Sequence, residues 1–221
     1  MLSMPHRELV TIGSGACSVE GLLALPAQPR GMVLFAHGSG SSRHSPRNTF
    51  VAAQLRRAGL GTLLMDLLSA DEDADSAKRF DVPLLTRRLA LAADWLGDYP
   101  ATRTLPLGLF GASTGAAAAL SLAAALPQRI AAVVSRGGRP DLARSEVLAQ
   151  VRAPSLLLVG ALDTEVLALN RWAYDLLAGD KHLEVIPGAS HLFEEPGCIE
   201  IVATHASAWF ERYLGKAGAA G

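Results

Sequence analysis

Five residues, Gly111-Ala112-Ser113-Thr114-Gly115, place a serine hydroxyl where it could act as a nucleophile. They follow an apolar run over residues 105–110 (L-P-L-G-L-F) and open an alanine-rich stretch over residues 116–126. A G-x-S-x-G pattern between a strand and a helix is the setting of a nucleophile elbow, a sharp turn that holds the serine side chain clear of the backbone. The glycines have a steric task, because strand and helix approach closely only where side chains are missing. Amides at the helix start, just past the serine, can meet developing negative charge. The pattern alone is common. Its flanks and its partners give it weight.

A serine hydroxyl needs a base, and the base needs an orienting carboxylate. Asp163 follows an apolar strand pattern at residues 155–159. In open α/β sheets functional side chains gather beyond the carboxyl ends of strands. The plain alternative is an N-cap for the helix that begins near Glu165, and the two roles can coexist. His191 follows another strand pattern through the turn Pro187-Gly188-Ala189-Ser190. Serine, acid and histidine in that chain order is what one α/β architecture supplies. His37 also ends a strand, but it precedes Gly38-Ser39-Gly40-Ser41-Ser42, a segment suited to aiming backbone amides at a reacting carbonyl. The expected oxyanion donors are the N–H groups of Ser39 and Thr114. His37 is expected to hold that loop by hydrogen bonds rather than to exchange protons. His6, His44, His182 and His205 read as structural or solvated.

The elements that must position these groups alternate along the chain. Strands are expected at residues 8–12, 18–25, 31–36, 61–66, 105–110, 130–135, 155–159 and 182–186. The first two should form an antiparallel hairpin around Gly13-Ser14-Gly15. Later runs such as Met32-Val33-Leu34-Phe35-Ala36 are continuously apolar, which indicates burial on both faces of a parallel sheet. Helical patterns occupy 47–58, 83–95, 114–126, 141–151, 165–178 and 198–214. Residues 69–78 (S-A-D-E-D-A-D-S-A-K) read as an acidic surface loop.

Composition narrows the function classes. The chain has 221 residues, 50% hydrophobic and 19% charged, with a net charge of −1. One core and one domain over residues 1–214 are expected, with 215–221 as a frayed tail. Near-neutral charge gives nucleic-acid binding no electrostatic support. Mean hydropathy is +0.26, but no apolar run reaches the roughly 20 residues that span a bilayer. The start M-L-S-M-P-H-R-E-L-V lacks a signal-peptide pattern, so a cytoplasmic protein is expected. Cys17 and Cys198 lack C-x-x-C spacing and read as unpaired buried thiols. No metal or organic cofactor is expected, and either a monomer or a homodimer fits.

With the His37-Gly38 loop, Ser113, Asp163 and His191 in this order, the chain resembles an α/β-hydrolase. Its motifs are similar to those of the dienelactone hydrolase-like group over nearly the whole chain. That resemblance implies an α/β three-layer fold: a mostly parallel sheet of about eight strands, flanked by helices, with no large lid. It also implies Ser113 as nucleophile, His191 as base and Asp163 as orienting acid. The stretches H-G-S-G-S-S-R-H-S-P-R-N from His37 and S-R-G-G-R-P-D-L from Ser135 are similar to a bacterial subgroup. There the hydrolase-like domain sometimes sits beside a phosphoribosyltransferase domain, and no such segment is read in this sequence. Dienelactone hydrolases carry cysteine at the elbow. Serine stands here, so a serine ester hydrolase is the expectation.

The expected reaction is cleavage of small or short-acyl esters through an acyl-enzyme. One short helix after the strand at 130–135 leaves little room for a lid, hence an open, shallow site. Arg136, at the end of that strand, and Arg43, past the oxyanion segment, are candidates for a substrate carboxylate or for plain salt bridges. His37 and Gly38 are expected to border the substrate. The same triad could serve thioesters, lactones, amides, peracids or acyl transfer, and a non-catalytic binding module could retain the fold.

Overall fold

Each continuous apolar run becomes a strand, and the helical patterns cover both faces of the resulting sheet. The computed structural model describes residues 4–13 and 18–215. β1 (His6–Ile12) and β2 (Val19–Leu25) pair antiparallel, with Ile12 opposite Val19. Past Gly13, the expected turn of this hairpin lies outside the described residues, as do Cys17 and the tail beyond Gly215. The sheet continues with β3 (Met32–Ala36), β4 (Gly61–Met65), β5 (Leu107–Ala112), β6 (Ile130–Arg136), β7 (Ser155–Gly160) and β8 (Lys181–Ile186). The strand order is β1-β2-β4-β3-β5-β6-β7-β8. β2 meets β4 antiparallel, and every pairing from β4 onward is parallel. β5 starts at Leu107 rather than 105 because Pro106 has no N–H to donate to the ladder; its carbonyl instead accepts from Met32.

The helices are α1 (Pro46–Arg57), α2 (Ala70–Asp73), α3 (Val82–Asp98), α4 (Thr114–Ala125), α5 (Ser145–Leu148), α6 (Thr164–Leu176) and α7 (Cys198–Leu214). Alternate residues of the interior strands serve opposite layers. Leu34, Leu63, Leu109 and Val133 pack against α3 and α4. Val33, Phe35, Phe110 and Val134 pack against α1 and α7. On α6, Val166 and Leu167 pack against Val159 of β7. The alanines of α4 give that helix almost no side-chain thickness, so it lies close on the sheet and carries the elbow at its start.

Two expectations need correction. The helix expected over 141–151 is instead a 3₁₀ turn at Pro140–Leu142 and the single turn α5, separated by extended backbone at Ala143 and Arg144. The acidic patch is not all loop: Ser69 and Glu72 cap each other reciprocally and start α2, while Glu72 also meets Arg88 at 2.7 Å. The connection from β6 to β7 holds only these short turns and forms no lid. Among the described residues no helix is long and apolar enough to cross a membrane.

Candidate active site

β5 ends at Ala112 and α4 begins at Thr114, so Ser113 alone makes the corner. Its φ of 49° and ψ of −122° are unusual for a residue with a side chain. Among the described non-glycine residues only Ser113 and Phe193 have positive φ. Such strain costs about 1–3 kcal/mol and persists only where the surroundings overdetermine it. Here the Ser113 N–H donates to the Arg136 carbonyl at 3.2 Å. The Ser113 carbonyl accepts from Arg139 at 3.1 Å and from Ala116 at 3.0 Å. A Cβ on Gly111 would press into the Ala116 backbone, and one on Gly115 would overlap the carbonyl oxygens of Ala36 and His37. Both glycines are therefore needed for the close approach expected of them.

The structure brings the three expected groups together. His191 Nε2 lies 3.3 Å from Ser113 Oγ, and His191 Nδ1 lies 2.6 Å from Asp163 Oδ2. Asp163 occupies the N-cap position of α6, yet its side chain makes no capping bond. The carboxylate turns to the imidazole instead. Its side chain is 14% exposed and that of His191 35%: the acid is sheltered and the ring reaches the groove. The histidine turn is pinned from both sides. Phe193, with φ 56° and a fully buried ring, donates its N–H to Ser190 O at 3.2 Å. The Ser190 N–H donates to Glu195 at 3.1 Å, and hydrogen bonds from the Ser190 side chain and then its backbone lower the pKa of this carboxyl.

The His37-Gly38 loop lies against the nucleophile, with the position of a Gly38 Cβ only 3.1 Å from Ser113 Cβ. His37 Nε2 accepts from the Leu67 N–H at 3.0 Å, so the proton sits on Nδ1, which donates to Gly38 O at 2.9 Å. Burial lowers its pKa below 6.5, against the opposing pull of the Gly38 bond, Asp66 and Asp73. His37 thus holds the loop through both ring nitrogens, and of the two residues it is Gly38 that lines the groove beside Ser113. Among the described residues neither the Ser39 nor the Thr114 N–H has a hydrogen-bond partner.

Ser113 and His191 open onto a groove of about 210 Å³ whose walls include Ser39, Arg47, Asn48, Arg136 and Leu192. A larger apolar hollow of about 300 Å³ beside Leu9, Leu22 and Leu64 contains none of these groups. Arg136 is only 6% exposed. Among the described residues its guanidinium meets no carboxylate; it approaches Leu192 O at 3.5 Å and lies 5.7 Å from the Phe193 ring centre, while Nε has no partner. Burial, with repulsion from Arg47, lowers its pKa to about 10. Of the two roles open to Arg43, the structure shows the salt bridges: Asp66 and Glu20 hold its guanidinium, and it forms no wall of the groove. Arg47 and Asn48 were not legible as site residues. The signal for them is Pro46, which marks the first turn of α1 directly after the glycine–serine loop. Among the described residues no three His, Cys, Asp or Glu side chains are placed to hold a metal ion.

Residues 29–205 match a family model described as an alpha/beta hydrolase domain. Curated proteins from two strains of Mycobacterium tuberculosis, each provisionally named a phosphoribosyl transferase, are 51% identical over 214 residues. The match covers 97% of this chain and 48% of theirs, so the chain spans about half the length of these relatives. A solved dienelactone hydrolase from Anabaena variabilis is 51% identical, superposes with a TM-score of 0.91, and is matched over 96% of this chain and 99% of that one. Est1E from Butyrivibrio proteoclasticus, 14% identical, shares the fold with a TM-score of 0.81 over 94% of this chain and 99% of its own.

Proposed function

The chain belongs to the alpha/beta hydrolase domain family, in its dienelactone hydrolase-like group, and on that premise we propose that it is a serine carboxylesterase for small or short-acyl esters. One observation carries the reading: an unbroken line from Asp163 through His191 to Ser113, ending at a strained elbow beside an open groove. His191 Nε2 takes the hydroxyl proton as Ser113 Oγ attacks the ester carbonyl. The 3.3 Å separation shortens once substrate is aligned, as catalytic hydrogen bonds commonly do. Asp163 keeps the proton on Nδ1 and stabilises the imidazolium. The Ser39 and Thr114 amides receive the oxyanion. Collapse expels the alcohol, which takes its proton from His191. Water, deprotonated by the same ring, then releases the acid from the acyl-enzyme.

The cationic wall bears on substrate choice. A buried charge without an anion is costly, and Arg136 has none within the described residues. A carboxylate on the substrate would supply it; Arg47, at the same groove, already pairs with Glu194. A second reading, lactone hydrolysis by the same triad, is favoured by the dienelactone hydrolase at 51% identity. The transferase name of the mycobacterial relatives belongs to proteins about twice as long as the matched region.

Hydrolysis of p-nitrophenyl acetate, butyrate and octanoate by wild type and Ser113→Ala tests the proposal. Serine-dependent turnover, strongest on acetate and butyrate, is expected. Turnover no greater than that of Ser113→Ala would reject a short-acyl esterase and turn attention first to thioesters and lactones, then to a binding module.

A further inference from the structure

Asn170 lies on α6, two turns beyond Asp163, and is fully buried. An asparagine is a poor helix former and a costly residue to bury, yet its side chain has a defined task. Nδ2 donates to Gly138 O at 2.9 Å and to Val166 O at 2.8 Å. Both partners are carbonyls, so the amide can face them only through its nitrogen.

The Gly138 carbonyl and the Arg139 N–H belong to one peptide unit. That N–H donates to Ser113 O at 3.1 Å. The Ser113 carbonyl and the Thr114 N–H are likewise one peptide unit, and among the described residues the Thr114 N–H, next to the nucleophile, has no partner. A hydrogen-bonded series therefore runs from Asn170 through two peptide planes to the donor that would receive the oxyanion. Ala116 N–H also holds Ser113 O, at 3.0 Å, but from within α4. Of the two bonds to the Ser113 carbonyl, only that from Arg139 comes from a separate element. Gly138 lets its peptide sit there, since a Cβ would overlap Ser135 Oγ and lie 2.8 Å from Ala116 Cβ.

We propose that Asn170 is a positioning residue for the oxyanion hole, acting through the Gly138–Arg139 and Ser113–Thr114 peptides. The inference rests on the proposed roles of Ser113 and Thr114. Bonds in series strengthen one another by roughly 10–30% each, and the series fixes the plane of the Thr114 amide. A leucine at position 170 would fill similar volume and donate nothing.

The test uses Asn170→Leu, with Asn170→Ala carrying the same expectation should leucine not fold. The expected result is a fall in kcat of about fivefold, a fraction of the roughly 10²–10³ lost when an oxyanion donor is removed outright. KM and the pH at which activity is half-maximal stay put, because the His191–Asp163 bond is untouched. A trifluoromethyl ketone, which adds Ser113 Oγ at its carbonyl and leaves an oxyanion, should bind more weakly by the same factor. Ser155→Ala, which removes a buried hydroxyl bonded to Ala153 O, supplies the control for lost stability alone, with kcat unchanged. A kcat within twofold of wild type, a change in KM instead, an inhibitor constant that does not follow kcat, or an equal loss in Ser155→Ala would overturn the inference. Wild type that fails both to turn over esters and to react with a fluorophosphonate at Ser113 would overturn the proposed function, and this inference with it.

Discussion

Replacing Asp163 by asparagine separates orientation from charge at the candidate site. The carboxylate sits 2.6 Å from His191 Nδ1 and makes no capping bond to α6. Asparagine is the same size, so what changes is the hydrogen bond to the ring. If the new side chain presents its NH₂, two donors would face each other at that distance. The ring must then carry its proton on Nε2, where it cannot accept one from Ser113. A triad with the wrong tautomer loses about 10⁴ in kcat, or about 5.4 kcal/mol at 1.36 kcal/mol per tenfold. If asparagine presents its oxygen, the tautomer survives and only the charge is lost. A hydrogen bond to a charged group contributes about 1.5–3 kcal/mol, which corresponds to about 10- to 150-fold. Either way kcat on p-nitrophenyl butyrate falls at least about tenfold, and a value near 10⁴ identifies the tautomer. The thermal midpoint should move only a few degrees, since about 1 kcal/mol shifts a domain of this size by about 2–4 °C. A loss below tenfold in a folded variant would refute the assignment and place the orienting acid elsewhere.

Three further outcomes follow from the same geometry. Gly115→Ala should cost more than the roughly 1–3 kcal/mol of ordinary overpacking, because the added methyl would meet backbone carbonyls that cannot turn aside; a thermal midpoint equal to wild type would show that the elbow is not so tightly set. Burial holds His37 below 6.5, so as pH falls the unfolded chain takes up that proton first. Its contribution to stability is complete above about pH 6.5 and declines as pH drops toward the lower folded value. Urea midpoints from neutral to mildly acid pH should therefore slope less in His37→Asn, and an unchanged slope would contradict the buried neutral ring. Arg136→Ala should lower the turnover of monomethyl glutarate relative to methyl valerate by about tenfold or more, as expected for a lost charge-assisted bond; an unchanged ratio would remove the carboxylate reading.

What the sequence revealed follows from how local each constraint is. The elbow was legible because strand, corner and helix occupy adjacent residues, and Gly111 and Gly115 leave a mark wherever backbones must touch. The strands were legible because burial on both faces demands continuous apolar runs, as β3 and β7 display. Asp163 and His191 could be picked by their place after strands. Arg47 and Asn48 could not, since they reach the groove through the way α1 leaves the glycine–serine loop. Asn170 was hidden for the same reason, as its partner Gly138 is 32 residues away. Arg43 and Arg136 looked alike in sequence. Asp66 and Glu20 distinguish them, through packing that no spacing rule records.

The proposed nucleophile and its base are 78 residues apart, and the base and its acid 28. β3 lies between β4 and β5, so the elbow's own strand pairs with one laid down 75 positions earlier. Such non-local pairing is slow to form, because the chain must close long loops before any contact repays them. Helices can form within microseconds of refolding, whereas Ser113, Asp163 and His191 can meet only after β5, β7 and β8 have all docked. Recovered activity therefore marks the end of folding, trailing the return of helical circular dichroism. During synthesis, a chain still lacking residues 181–191 would hold Ser113 with no base to activate it.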